Sequence, residues 1–134
     1  MTRTEKKMKI RKLLRKDLTG KSLYKTTYKD IKKYFSLIND CIFESKLSPF
    51  NDVKIKRING RTLGQVVIME WKRKGTRQYH LEMLPEYRNK KEFVDTLGHE
   101  MVHSYQMANV GDTGNHNKLF YSFGPKLKQI GLSL

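Results

Sequence analysis

Cysteine is almost missing from this chain. Cys41 is the only one in 134 residues, so no internal disulfide can form, and a reducing, intracellular compartment is expected. A cytoplasmic or nucleoid-associated protein fits that expectation, and so does a viral gene product. Long apolar runs are also lacking. Nothing approaches the roughly 20 residues a membrane span needs, so no membrane partner is expected. The basic residues 1–16 are not followed by the apolar run and small-residue cleavage site of a secretory leader. Acidic residues are scarce as well: 13 Asp and Glu stand against 28 Lys and Arg, giving a formal net charge of +15 and an isoelectric point near 10.0. A field of that sign attracts polyanions, nucleic acid first. The hydrophobic fraction of 37% is enough for one modest core, which suits a single folded domain.

The charge is unevenly placed. Residues 1–33 carry thirteen Lys and Arg against three acids, while residues 34–134 carry fifteen against ten. Residues 1–33 are therefore read as a basic arm or helix, and 34–134 as the domain. Within the arm, Met8, Ile10, Leu13, Leu14 and Leu18 recur at loosely helical spacing until Thr19-Gly20. A helix is expected over 28–44, with Thr27 as its N-cap and Ile31, Tyr34, Phe35, Ile38, Cys41 and Ile42 on one apolar face. Lys46-Leu47-Ser48-Pro49 should end it. Three strands follow, over 53–58, 62–71 and 78–84, with a turn signal at Asn59-Gly60 and a basic tip over 72–77. Asn89 then opens an apolar helix expected to run to about residue 108, before Gly111 and Gly114. A final helical segment, 117–130, is interrupted at Gly124-Pro125.

Within the apolar helix lies His99-Glu100-Met101-Val102-His103, an HExxH. Spacing of i and i+4 sets both imidazoles on one face, one turn apart, where they can share a zinc ion. Glu100 projects beside them and can take a proton from a water at the metal. Three fixed residues make a short motif. Two histidines and a glutamate on an otherwise apolar helix are nonetheless costly to bury unless they line a site.

A third ligand is needed. No glutamate follows Glu100, and the position six residues after the second histidine, where another class of zinc peptidases places its third, is Asn109. His116 and Asp112 remain downstream, while His80 lies upstream in a strand. His116 is favoured because imidazole is the commoner partner of zinc and the glycines before it let the chain swing back toward the helix.

Leu97-Gly98-His99-Glu100-Met101-Val102-His103, followed by Gly114-Asn115-His116 and Phe120, resembles the SprT-like metalloprotease (Spartan) family. Asn39, Phe43 and Leu47 resemble that family's helix before its small sheet. Gly64-Gln65-Val66-Val67 and His80-Leu81-Glu82-Met83 resemble its strands. The resemblance covers roughly residues 34–125. It implies a small α+β, zincin-like domain with an N-terminal helix, a three-stranded sheet, the HExxH helix and a C-terminal helical segment. It also implies zinc on His99, His103 and His116, Glu100 as the catalytic residue, and hydrolysis of proteins bound or crosslinked to DNA. The chain departs from the family in having no four-cysteine ribbon, and Asn117 stands where a glycine commonly follows the third histidine.

With such a substrate, Lys7, Lys9, Arg11, Lys12, Arg15 and Lys16 are candidates for non-specific phosphate contacts. Lys72, Arg73, Lys74 and Arg77, flanked by Trp71 and Tyr79, add charge beside rings able to stack on unpaired bases. The segment 64–68 could receive an extended peptide along a sheet edge. Tyr105 and Tyr121 are candidates to stabilise the oxyanion. Two other readings compete: a basic nucleic-acid-binding protein with a structural or vestigial zinc site, and a zinc hydrolase acting on a different anionic polymer.

Overall fold

The computed structural model of the protein describes residues 2–111 and 114–134. Asp112, the alternative third ligand, lies outside them. The fold is α+β.

Helix α1 (Arg3–Asp17) starts at Thr2, whose hydroxyl accepts from the Glu5 amide at 3.2 Å. It is polar almost all round, but Ile10 and Leu14 are buried in the same apolar cluster as the rest of the chain. The basic arm is thus a helix packed on the body. The division expected at residue 33 falls inside the next helix, α2 (Tyr28–Ile42). Thr27 caps α2 as expected, accepting from the Asp30 amide at 3.1 Å. α2 stops earlier than proline alone would dictate. Glu44 and Ser45 take positive φ angles of 54° and 60°. The Asn39 side chain then grips both backbone groups of Leu47, at 2.9 and 3.0 Å.

Because Leu14 is only 1% exposed, Leu14→Ala should lower stability by about 2–5 kcal/mol in urea unfolding, as truncation of a core leucine does. Lys12→Ala, on the exposed side of the same helix, should stay within about 0.5 kcal/mol. An unchanged midpoint in Leu14→Ala would mean that α1 does not share the core.

The three expected strands form one sheet, β2 (Asp52–Ile55), β3 (Gly64–Trp71) and β4 (Thr76–Met83), in the order β2-β4-β3. β3 and β4 are an eight-residue antiparallel hairpin, Gly64 opposite Met83 and Trp71 opposite Thr76. β2 pairs with β4 in parallel. The turn at Asn59-Gly60 therefore does not join a hairpin. It lies in the connection from β2 to β3, which must cross to the far side of β4 because β4 sits between those two strands. β3 is left at an edge. A second, two-stranded sheet joins β1 (Tyr24–Lys25) to β5 (Glu86–Tyr87), pairs too short to be read from periodicity.

Helix α3 (Lys90–Ser104) is capped by Asn89, which accepts from the Glu92 amide at 2.8 Å. It packs against β3 and β4 and also against α2, while α1 packs on α2. Burial on so many sides explains why Phe93, Val94, Leu97, Met101 and Val102 are all inaccessible. The expected continuation to residue 108 exists but changes character, passing into a π-helical turn over Tyr105–Val110. After the bend, Asn117 caps α4 (Lys118–Tyr121) and α5 (Gly124–Lys128) begins with Pro125 in its first turn. The interruption expected at Gly124-Pro125 is the boundary between them. No helix among the described residues is long and apolar enough to cross a membrane.

Candidate metal centre

α3 comes close to the sheet edge because residue 64 is glycine. A Cβ there would lie 2.9 Å from the Thr96 methyl and 3.2 Å from the Met83 sulfur. This contact sets the β3 edge over the one polar stripe of α3, which holds Thr96, His99, Glu100 and His103. Glu100 is 6% exposed, and the Val66 backbone N–H donates to it from the strand above. Burial pushes its carboxyl up to about 8, only partly opposed by the Val66 bond.

His99 and His103 share a face, and the chain returns after α3 to bring His116 onto them. Gly111 (φ 75°) ends the π-helical turn in the left-handed region, and Gly114 (φ 79°) bends the returning chain. A side chain at 114 would also meet Met107 at 3.0 Å. The His103 Nε2 lies 3.1 Å from the Nε2 of His99 and 3.1 Å from that of His116. Nitrogens bound tetrahedrally to one zinc ion are about 3.3 Å apart, given Zn–N bonds of about 2.0–2.1 Å. All three ligand atoms lie within 4.8 Å of one another, so the cluster can hold a single metal ion. Burial, followed by the charges of His103 and His116, pushes His99 down to about 4. His103 is also lowered, chiefly by burial. Neutral imidazoles with converging ring nitrogens are the donor set a borderline divalent cation takes.

Phe120 is the wedge behind them. Its buried ring stacks on His116 with centroids 4.3 Å apart and on His103 at 4.9 Å, and meets His99 edge-on at 4.9 Å. Two cavities open at Glu100. One, of about 530 Å³, is bounded by Leu63, Gly64, Thr96 and His99 and reaches Lys91 and Leu134. The other, of about 330 Å³, runs past Val66, His103 and Met107. Together they make a groove along the β3 edge with His99 and Glu100 in its floor.

The structure thus brings together His99, Glu100, His103 and His116. His80 is elsewhere, on β4 against Gln78 at 3.0 Å. Asn109 donates to the Lys46 carbonyl at 3.0 Å and ties the π-helical turn to the loop after α2. Of the two tyrosines, Tyr105 packs between Phe43 and Phe123, whereas Tyr121 is exposed with its ring 6.4 Å from His116.

The basic candidates lie apart from the histidines. Lys9, Arg11, Lys12, Arg15 and Lys16 are on α1 and all exposed, whereas Lys7 is half-buried and donates to Gln129 at 3.3 Å. Arg11 and Arg15 line a pocket with Lys91, which also lines the larger cavity at Glu100. Lys72, Arg73 and Lys74 sit at the exposed tip of the β3–β4 hairpin, beside the exposed Trp71 and half-buried Tyr79. Arg77 is paired with Glu70 at 3.0 Å.

One residue with no signal in the sequence beyond its place three positions after His103 is Gln106. It is wholly buried. Its Oε1 faces the His103 Nδ1 at 3.1 Å, and its amide nitrogen donates to the Asn115 carbonyl at 2.9 Å and to Asn117 Oδ1 at 3.1 Å.

No protein-family model, curated protein or solved structure matches the chain.

Proposed function

We propose that the chain is a zinc-dependent peptidase of the SprT-like, zincin-like kind, hydrolysing proteins bound or crosslinked to DNA. The observation that carries this reading is the convergence of three histidine Nε2 atoms beside a buried glutamate under an open sheet edge. His99, His103 and His116 would hold the zinc, whose three protein ligands leave a position free, as in catalytic rather than structural sites. Bound there, zinc supplies a Lewis acid that acidifies water and polarises a carbonyl.

The chain's own residues account for the remaining steps. An extended substrate lies along the free edge of β3, paired through its backbone, so side-chain tolerance is broad. Glu100, one residue on from His99 and steadied by the Val66 N–H, takes a proton from the attacking water. A buried carboxyl one residue from a zinc ligand can hold that proton and release it to the departing amine. Tyr121, exposed and with its ring 6.4 Å from that of His116, is the nearer of the two tyrosine candidates for stabilising the oxyanion.

Selectivity would come from where the enzyme is held. The exposed cations of α1 supply the DNA contacts, and Lys91 links that surface to the cleft. The hairpin tip adds charge beside Trp71.

The test is elemental analysis of the purified full chain, followed by cleavage of a DNA-binding protein with and without its DNA. About one zinc per chain and faster cleavage on DNA are expected. Changing Lys9, Lys12 and Arg15 to Glu should reduce the salt dependence of DNA binding by about one unit of log–log slope for each phosphate that is no longer neutralised. It should also remove the acceleration by DNA while sparing cleavage of an unbound peptide. A zinc-loaded chain that cleaves neither substrate would sink the peptidase reading.

A further inference from the structure

The rings of His99, His103 and His116 come from two separate stretches of chain, and a metal site needs both its ligand tautomers and its ligand positions fixed. Gln106 bears on both. Its amide nitrogen is committed to two acceptors, the Asn115 carbonyl and Asn117 Oδ1, and a carbonyl cannot donate, so the NH₂ group must face that loop. The oxygen is therefore the atom turned toward His103, 3.1 Å from Nδ1. An oxygen there can only accept, which favours the His103 tautomer that carries its proton on Nδ1 and presents the lone pair of Nε2 to the other two rings, with the Gly114 backbone as a second acceptor at the ring.

The loop side of the same amide is as specific. Asn115 and Asn117 flank His116, so the two bonds from Gln106 hold the ligand from both sides. Asn117 Oδ1 also accepts from the Phe120 amide at 3.1 Å, as the cap of α4. The ring that stacks on His103 and His116 is thus referenced to the same side chain. Gln106 is wholly buried, which keeps water from competing for these bonds.

We propose that Gln106 is the positioning residue of the centre: one buried amide that sets the tautomer of His103 and clamps the Asn115–Asn117 loop, so that the three-histidine site is assembled before metal arrives. The metal half of this inference rests on the function proposed above. The clamp itself does not.

Two variants separate the roles. Gln106→Leu removes both sets of bonds. In Gln106→Glu a carboxylate can still accept from His103 Nδ1 but has no N–H for the loop. In metal-free wild type, the nitrogen-15 shifts of His103 should report a proton on Nδ1, kept in Gln106→Glu and redistributed toward Nε2 in Gln106→Leu. Zinc affinity, measured by competition with a chelating dye, should fall by about 10–100-fold in Gln106→Leu, the usual effect of removing a partner that orients a ligand. It should fall by a smaller factor in Gln106→Glu. Circular dichroism and thermal melting of each variant establish that the chain is folded.

A wild-type His103 protonated on Nε2 would overturn the proposal, and that measurement needs no variant to fold. Zinc affinity in a folded Gln106→Leu within about twofold of wild type would overturn it too, being far below the loss expected of such a partner. A wild type that binds no zinc would refute the proposed function instead, and the tautomer result alone would then decide the clamp.

Discussion

Glu100→Gln should keep its zinc and lose about 10²–10⁴-fold in turnover, the contribution of a positioned general base. The amide is nearly isosteric with the carboxyl, can still accept from the Val66 N–H and leaves the three imidazoles untouched, so metal content is the control. The same variant should be more stable than wild type in alkaline, metal-free buffer. Burial raises the Glu100 carboxyl to about 8 from the 4.5 of an exposed glutamate. Between those values the folded chain holds a proton that the unfolded chain has released. Wild-type stability therefore falls as pH climbs from 4.5 to 8, by up to about 1.4 kcal/mol per pH unit. Water in the open cleft reduces this, and a loss of a few kcal/mol in all is expected. The substituted amide cannot ionise, so the variant should lack that falling limb. His99 acts in the opposite sense. Its lowered value of about 4 makes stability rise with pH between 4 and 6.5, and that limb should survive in the variant. Melting temperatures in a chelator across both limbs, set beside peptidase rates, check both halves. A variant that hydrolyses peptide at the wild-type rate would remove Glu100 from the mechanism. One with the wild-type pH profile of stability would show that its carboxyl is not desolvated.

The part of this site visible in the sequence is the part encoded locally. His99 and His103 are one helical turn apart, and any helix places such a pair on one face, so HExxH on an apolar helix already announces a shared ligand position. His116 is reachable by elimination, because few side chains after residue 103 can bind a metal and the glycines at 111 and 114 mark a reversal. Gln106 cannot be found that way. Its meaning lies in Asn115 and Asn117, across a bend that only the folded chain closes. Asn117 is equally silent in the sequence, and only the fold shows it accepting from both Gln106 and Phe120. The sheet divides along the same line. Strand positions follow from alternation, but pairing does not, and Asn59-Gly60 looks the same whether it closes a hairpin or starts a crossover. In α1 the charge hides the packing: two apolar contacts, Ile10 and Leu14, tie a strongly basic helix to the core.

Zinc should raise the melting temperature of the wild type by more than about ten degrees, and His116→Ala should abolish most of that rise without changing the metal-free protein. A ligand present at about 1,000 times its dissociation constant stabilises the folded state by about 4 kcal/mol. For a domain of this length each kcal/mol corresponds to about 3–5 °C. The contrast between loaded and stripped protein is informative because His116 is exposed and comes from the returning loop, not from α3. Replacing an exposed side chain usually changes intrinsic stability by about 0.5 kcal/mol, so stripped wild type and stripped His116→Ala should melt within a few degrees of each other. With zinc they should separate, since two imidazoles on one helix face cannot match the affinity of three. Replacing Phe120 is a different case. Its ring is buried behind all three histidines, so Phe120→Ala should lower both melting temperatures, by about 3–5 kcal/mol in the stripped protein. A zinc-dependent rise that persists undiminished in His116→Ala would place the third ligand elsewhere and leave His116 as a loop residue stacked on Phe120. A rise absent from wild type would leave three converging imidazoles with no cation to hold them.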